Sequence, residues 1–185
     1  MTLEFLQNFG ILDKVLKKMM KEKKVEESVS PGGKNPMITY RVMTTEDYDG
    51  VYALWMTIQG FGIRSIDDSR EGVEKFLKRN PTTSVVALDG DKIIGSILCG
   101  HDGRRASFYH VCVAESYRKQ GIGKKMAAFA QEALKKEGIN KVGLQAFVTN
   151  EKGNRFWQSL KWLQRTDLNY YDLSLNEDNV TTFNK

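Results

Sequence analysis

Ser116 to Met126 read SYRKQGIGKKM, placing Gly121 and Gly123 among the cations Arg118, Lys119, Lys124 and Lys125, directly before the apolar series Met126, Ala127, Phe129 and Ala130. Glycines at the mouth of a helix leave room for a ligand to reach the backbone. The unpaired N–H groups of the first turn and the positive end of the helix dipole then face one pocket, which favours an anion. Two familiar phosphate loops do not fit. A dinucleotide fingerprint needs glycine where Met126 stands, and a P-loop needs glycine at Arg118 and Ser or Thr at Lys125. The ligand implied is a pyrophosphate or several phosphates together. A plain strand-to-helix turn with solubilising lysines is the competing reading.

The elements around this segment form a regular series. MITYRVM alternates as a strand, and TTEDYDGVYALWMTI opens with Thr and acids before an apolar stripe of Tyr48, Val51, Tyr52, Leu54, Trp55 and Ile58, which predicts a capped helix. SREGVEKFLKRNP predicts a second helix stopped by Pro81. SVVALDGDKIIGSILCG predicts two strands about an Asp89-Gly90 turn, and HDGRR a further turn into the strand ASFYHVCV. A helix to Lys136 stopped by Gly138, a strand KVGLQAFV, a short helix NEKGNRFWQSL and a closing strand around LNYYDLSL complete the chain. This order predicts an α/β (α+β) domain with a mixed sheet over residues 37–185. Residues 2–24 carry Leu3, Leu6, Phe9, Leu12, Leu16 and Met19 at helical spacing, and Val25 to Pro36 concentrates Ser, Gly and Pro. Residues 1–36 are therefore expected to be an amphipathic helix and linker appended to the domain.

Composition narrows the function classes. The 185 residues are 41% hydrophobic and carry 28 basic against 23 acidic side chains, a net charge of +5. That modest excess suits a local anionic ligand better than a nucleic acid. With Cys99, Cys112, His101 and His110 as the only cysteines and histidines, neither a disulfide framework nor a zinc site is expected, and no metal is assigned. Glu4, Gln7, Asn8 and Asp13 interrupt the apolar N-terminus, so a cytoplasmic protein away from the membrane is the expectation.

On these residues the chain resembles the GNAT superfamily of acetyl-CoA-dependent N-acetyltransferases. Arg118, Gly121 and Gly123 match the family's R/Q-x-x-G-x-G/A motif, Val111, Cys112 and Val113 match the strand end before it, and Asn150 follows the next strand. GHDGRRASFYHVCV and NEKGNRFW look like small bacterial and archaeal members. The resemblance covers about residues 38 to 175. It implies a mostly antiparallel central sheet flanked by helices, with a parallel splayed pair, one strand ending at Val113 and the other near Val148, binding acetyl-CoA. Backbone groups of Val111, Cys112 and Val113 would hold the pantetheine arm, and Arg118, Lys119, Gln120, Gly121, Ile122, Gly123 and Lys124 the pyrophosphate, with Asn150 and Phe156 beside the cofactor. The implied reaction is acetyl transfer from acetyl-CoA to a primary amine, on a protein N-terminus or a small molecule, by direct attack in a ternary complex. Two alternatives stay open: a non-catalytic coenzyme A-binding sensor or interaction module, and toxin-like acetylation of aminoacyl-tRNA. The sequence also leaves open a homodimer.

The acid and base are displaced from the family pattern. Many relatives carry Glu where this chain has Tyr109, and His110 stands beside it, an imidazole suited to proton relay near neutral pH. Strand alternation places 109 and 110 on opposite faces, so only one of them is expected to face the acetyl group. Trp157 occupies the usual position of the tyrosine acid, and Lys161 that of a common glycine. Tyr170 and Tyr171 are the candidate replacements for the acid, with water as the competing proton source. Cys112, set in V-C-V, reads as a packing residue rather than a covalent nucleophile. Trp55, Phe61 and Ile63 are candidate walls of the acceptor site, and Arg104 and Arg105 candidate contacts to an acidic acceptor.

Overall fold

The computed structural model describes residues 37–185; the expected helix and linker of residues 1–36 lie outside the described residues. The strands β1 (Ile38–Val42), β3 (Val85–Asp89), β4 (Lys92–His101), β5 (Ala106–Val113) and β6 (Val142–Leu144) form one sheet in the order β1-β3-β4-β5-β6. All neighbours are antiparallel except β5 and β6, which are parallel. Helices α1 (Tyr48–Met56) and α2 (Arg70–Arg79) precede β3, α3 (Ile122–Lys136) follows β5, and α4 (Glu151–Ser159) follows β6. A short pair, β2 (Gly62–Arg64) with β7 (Thr181–Phe183), makes a second antiparallel sheet.

Period-two alternation, interrupted in β4 by an extra residue at Ile94, divides the core into two layers. Val86 and Leu88 join Val51, Leu54, Trp55, Val73 and Leu77 on the side of α1 and α2. Val85, Ala87, Ile94 and Ile97 join Met126, Ala130 and Leu134 of α3 on the other. The α3 residues recur at helical spacing, so one face of that helix is buried throughout. Asp47 is buried and takes two bonds from the Arg41 guanidinium, at 2.6 and 2.7 Å, while its carboxylate also accepts the Thr44 N–H at 2.8 Å and so fixes the entry into α1. Ser69 caps α2 by accepting the Gly72 N–H. The HDGRR turn is built on Asp102, whose Oδ1 accepts the N–H groups of Arg104 and Arg105.

The end of the chain departs from its sequence reading. No strand forms around LNYYDLSL; Leu168, Tyr170, Tyr171, Leu173 and Leu175 are all exposed. Tyr171, Leu173 and Leu175 alternate as a strand would, but no described strand pairs with this segment. The last strand is instead β7, which pairs with the segment after α1. The strand expected over KVGLQAFV is also shorter, ending at Leu144 rather than near Val148. Its partner β5 is paired with it only over Ala106 to Phe108 and then bulges. A bulge bends the strand that carries it, which ends the ladder.

Candidate active site

The bulge defines the site. Ser96 faces Cys112 and Leu98 faces Tyr109, so His110 and Val111 together oppose Ile97. His110 takes the extra-residue conformation, with φ of 47°, in the left-handed region that non-glycine residues seldom occupy. The insertion overturns the expected alternation at this point. Tyr109 packs edge-on against Phe76 of α2, and His110 packs against Trp55 of α1, so both side chains lie on the α1–α2 side of the sheet.

His110 is tightly held. Its ring centroid is 4.5 Å from that of Trp55 and 5.1 Å from that of Phe61, and its Nε2 is 2.6 Å from Asp68 Oδ1. Asp68 is itself only 5% exposed. Its second carboxylate oxygen accepts the Arg64 N–H at 2.7 Å, and its carbonyl accepts the Tyr48 hydroxyl. The loop carrying Phe61 and Asp68 is pinned by the chain terminus. Asn184 donates its amide to the carbonyls of Trp55 and Ile58 and exchanges backbone bonds with Gly60 and Phe61, while Asn179 Oδ1 accepts the Ile66 N–H. Ser96 and Trp55 close the site from below through an indole-to-hydroxyl bond.

Beyond Phe108 no described strand pairs with β5 on the β6 side, so the backbone from Tyr109 to Val113 has an open edge leading toward the glycine segment. There Gly121 caps α3 with φ of 78° and Lys119 has φ of 63°. The first α3 bond runs from Lys125 N–H to the Gly121 carbonyl. Among the described residues, no acceptor meets the N–H groups of residues 119–124. A Cβ placed on Gly121 would touch nothing within 4 Å, whereas one on Gly123 would come within 3.2 Å of the Phe156 ring. Gly123 is thus required for close packing of α4, and Gly121 for the left-handed turn beside an open space. Lys119 and Lys124 meet no acid among the described residues, so this concavity of N–H groups is cationic.

Several other sequence candidates also make contacts within the fold. Arg118 donates from Nε to the Val113 carbonyl and pairs with Glu115, fastening the glycine turn to the end of β5. Gln120 donates to the Ser116 carbonyl. Asn150 caps α4 by accepting the Gly153 N–H at 3.0 Å. Val111, Val113 and Ile122 pack on the α3 side. Cys112 packs on the other, where burial pushes its thiol up to about 11 and keeps it uncharged. Trp157 packs against Phe108, Phe156 and Trp162 as a wall of the core. Lys161 has φ of 62°, the conformation that a glycine serves most easily. Ile63 is buried, and Tyr170 and Tyr171 are largely exposed, with no hydrogen bond from either phenol among the described residues.

The acetyltransferase (GNAT) family profile matches residues 48–162, from the start of α1 to just beyond α4. The chain belongs to the GNAT acetyltransferase family. An acetyltransferase of Sodalis glossinidius is 26% identical over 122 residues, which is 66% of this chain and 84% of that protein. N-alpha-acetyltransferase 30 of Schizosaccharomyces pombe is 29% identical over 104 residues, 54% of this chain and 69% of the relative. Among solved structures, an aminoglycoside acetyltransferase from a soil metagenome, in complex with trehalose, superposes with a TM-score of 0.59 at 22% identity, covering 77% of this chain and 99% of that one. The PaiA N-acetyltransferase of Thermoplasma acidophilum, in complex with coenzyme A, gives 0.57 at 17% identity, covering 66% and 87%. The GNAT fold accounts for the parallel β5–β6 pair within an otherwise antiparallel sheet.

The residue that sequence reasoning missed is Asp68. In SIDDSREG it reads as an acid ahead of a helix cap, and nothing local points to a histidine 42 positions away. Ser96, in the middle of an apolar strand, is the second omission. A small polar residue in such a run was the available signal, since a buried hydroxyl needs a partner.

Proposed function

We propose that this GNAT acetyltransferase uses acetyl-CoA to acetylate a primary amine, with His110 accepting the amine proton. One observation carries the reading: the bulge sets His110 on the α1–α2 face at the point where β5 acquires an open edge, and that edge leads to the unpaired N–H groups of residues 119–124. The residues fit the cofactor. The backbone of Val111, Cys112 and Val113 would bond the pantetheine amides as an added strand would, and the N–H groups of residues 119–124, with Lys119 and Lys124, would hold the pyrophosphate. Bound there, acetyl-CoA supplies a thioester carbonyl open to attack.

The chain's own residues supply orientation and a proton path. Trp55 and Phe61 hold the His110 ring, and Tyr52, Phe76 and Tyr109 extend an aromatic surface on the same side of the sheet. An aromatic surface beside a base whose neighbouring acid, Asp68, is already paired with it favours an α-amine on an apolar peptide or small molecule. An α-amine near pKa 7.8 costs only about 1 kcal/mol to deprotonate at pH 7, against about 4–5 kcal/mol for a lysine side chain. The buried, uncharged thiol of Cys112 supports direct attack rather than an acyl-cysteine. Tyr109, Tyr170 and Tyr171 are the phenols proposed to return a proton to the departing thiolate. The testing experiment is thiol release from acetyl-CoA against a panel of peptides and small amines, with mass spectrometry of the products. Acetylated amine formed in step with thiol supports the reading; binding without turnover across the panel supports a non-catalytic module.

A further inference from the structure

We infer that Asp68 is a positioning residue that fixes the tautomer of His110 and leaves Nδ1 as the atom that takes the proton; this rests on the reading of His110 as the base. A carboxylate only accepts hydrogen bonds, so the 2.6 Å contact requires His110 to carry its proton on Nε2 when neutral. The lone pair then lies on Nδ1. Among the described residues Nδ1 has no hydrogen-bond partner, and no buried side-chain nitrogen or oxygen lacks one, so Nδ1 is reached from outside the protein.

The ring cannot readily exchange its two nitrogens. Trp55 and Phe61 lie against it at 4.5 and 5.1 Å, and its backbone is held in the bulge. Asp68 is equally fixed, because one carboxylate oxygen is occupied by the Arg64 N–H and its own carbonyl by the Tyr48 hydroxyl. The orientation of the base therefore depends on a loop far away in sequence, itself tied down by Asn179 and Asn184 near the chain end.

The Arg64 contact fixes how an amide would sit at position 68. In Asp68→Asn the amide oxygen must stay on the Arg64 N–H, which turns the amide N–H₂ toward His110. That group donates, so the imidazole proton must move to Nδ1 and the lone pair to Nε2, facing the protein. Heteronuclear NMR of the imidazole nitrogens at neutral pH reads the change directly. The expected result is the Nε2–H tautomer in the wild-type protein and the Nδ1–H tautomer in Asp68→Asn. With the inversion, kcat falls about 10²-fold or more while acetyl-CoA affinity is unchanged. In a His110→Gln background, Asp68→Asn should lower kcat no further.

An Nδ1–H tautomer in the wild-type protein would overturn the inference without any variant having to fold. An equal loss of kcat from Asp68→Asn in the presence and absence of His110 would also overturn it. Wild-type turnover in His110→Gln would instead overturn the reading of His110 as the base, whatever the tautomer.

Discussion

The indole N–H of Trp55 donates to the Ser96 hydroxyl at 2.9 Å, and the same hydroxyl reaches the His110 carbonyl and the Cys112 sulfur, each at 3.4 Å. Ser96 thus joins α1, β4 and the bulged part of β5 at one fully buried atom. Ser96→Ala leaves the Trp55 N–H buried without a partner and should cost about 1–3 kcal/mol. Urea unfolding should show a lower midpoint with an unchanged slope. Ser96→Thr, which keeps the hydroxyl but adds a methyl in a closed core, tests packing separately from hydrogen bonding.

A second expectation concerns the cationic turn. Gly121→Asp places a carboxylate in the open space beside the N–H groups of residues 119–124, where it would occupy the pyrophosphate position and repel its charge. Calorimetry should show acetyl-CoA affinity reduced by about tenfold or more, equivalent to about 1.4 kcal/mol. Unaltered affinity in a folded variant would remove this turn from the cofactor site.

Gly121, Gly123 and the apolar spacing of α3 were legible because one local conformation requires them. Asp89-Gly90 marked its hairpin for the same reason, with Gly90 at φ of 58°. The bulge was not legible: ASFYHVCV alternates well enough for a regular strand, and only pairing with β4 reveals the extra residue. Asp68 and His110 meet through tertiary packing, which leaves no mark in either segment. LNYYDLSL misled because high β propensity says nothing of whether a partner edge is within reach.

Arg41 and Asp47 give the acid response. Burial pushes the Asp47 carboxyl up, but the Arg41 guanidinium and the Thr44 backbone and hydroxyl outweigh it and hold it below the usual carboxylate range. Its stabilising contribution is therefore present above the ordinary carboxylate pKa, near about 3.9, and is lost as pH falls through the depressed value. Asp47→Asn should cost about 1.5–3 kcal/mol at pH 7, with the difference from wild type shrinking toward pH 2–3 (roughly the carboxylate range) in unfolding measurements.

At alkaline pH the cysteines respond with the opposite sign. Burial pushes Cys99 up to about 12 and Cys112 up to about 11. Folding favours both neutral thiols, so their contribution is complete below the ordinary thiol pKa near about 8.5 and is lost as pH rises through the raised values. Thermal stability should decline above about pH 9 and recover in part in a Cys112→Ser variant, whose hydroxyl does not ionise there. Iodoacetamide at pH 8 should leave both residues unlabelled until the protein is unfolded.

If His110 takes the amine proton, the pH profile of kcat/KM for His110→Gln must differ from that of the wild-type enzyme. With an amine acceptor found in the product assay, kcat should be lower by about 10²–10⁴-fold with unchanged acetyl-CoA affinity, and the acidic limb expected of the wild-type enzyme should be absent. Tyr109→Phe, measured alongside, should leave that limb in place. Wild-type turnover with an intact acidic limb in His110→Gln would remove His110 from the reaction and leave the amine to activate itself.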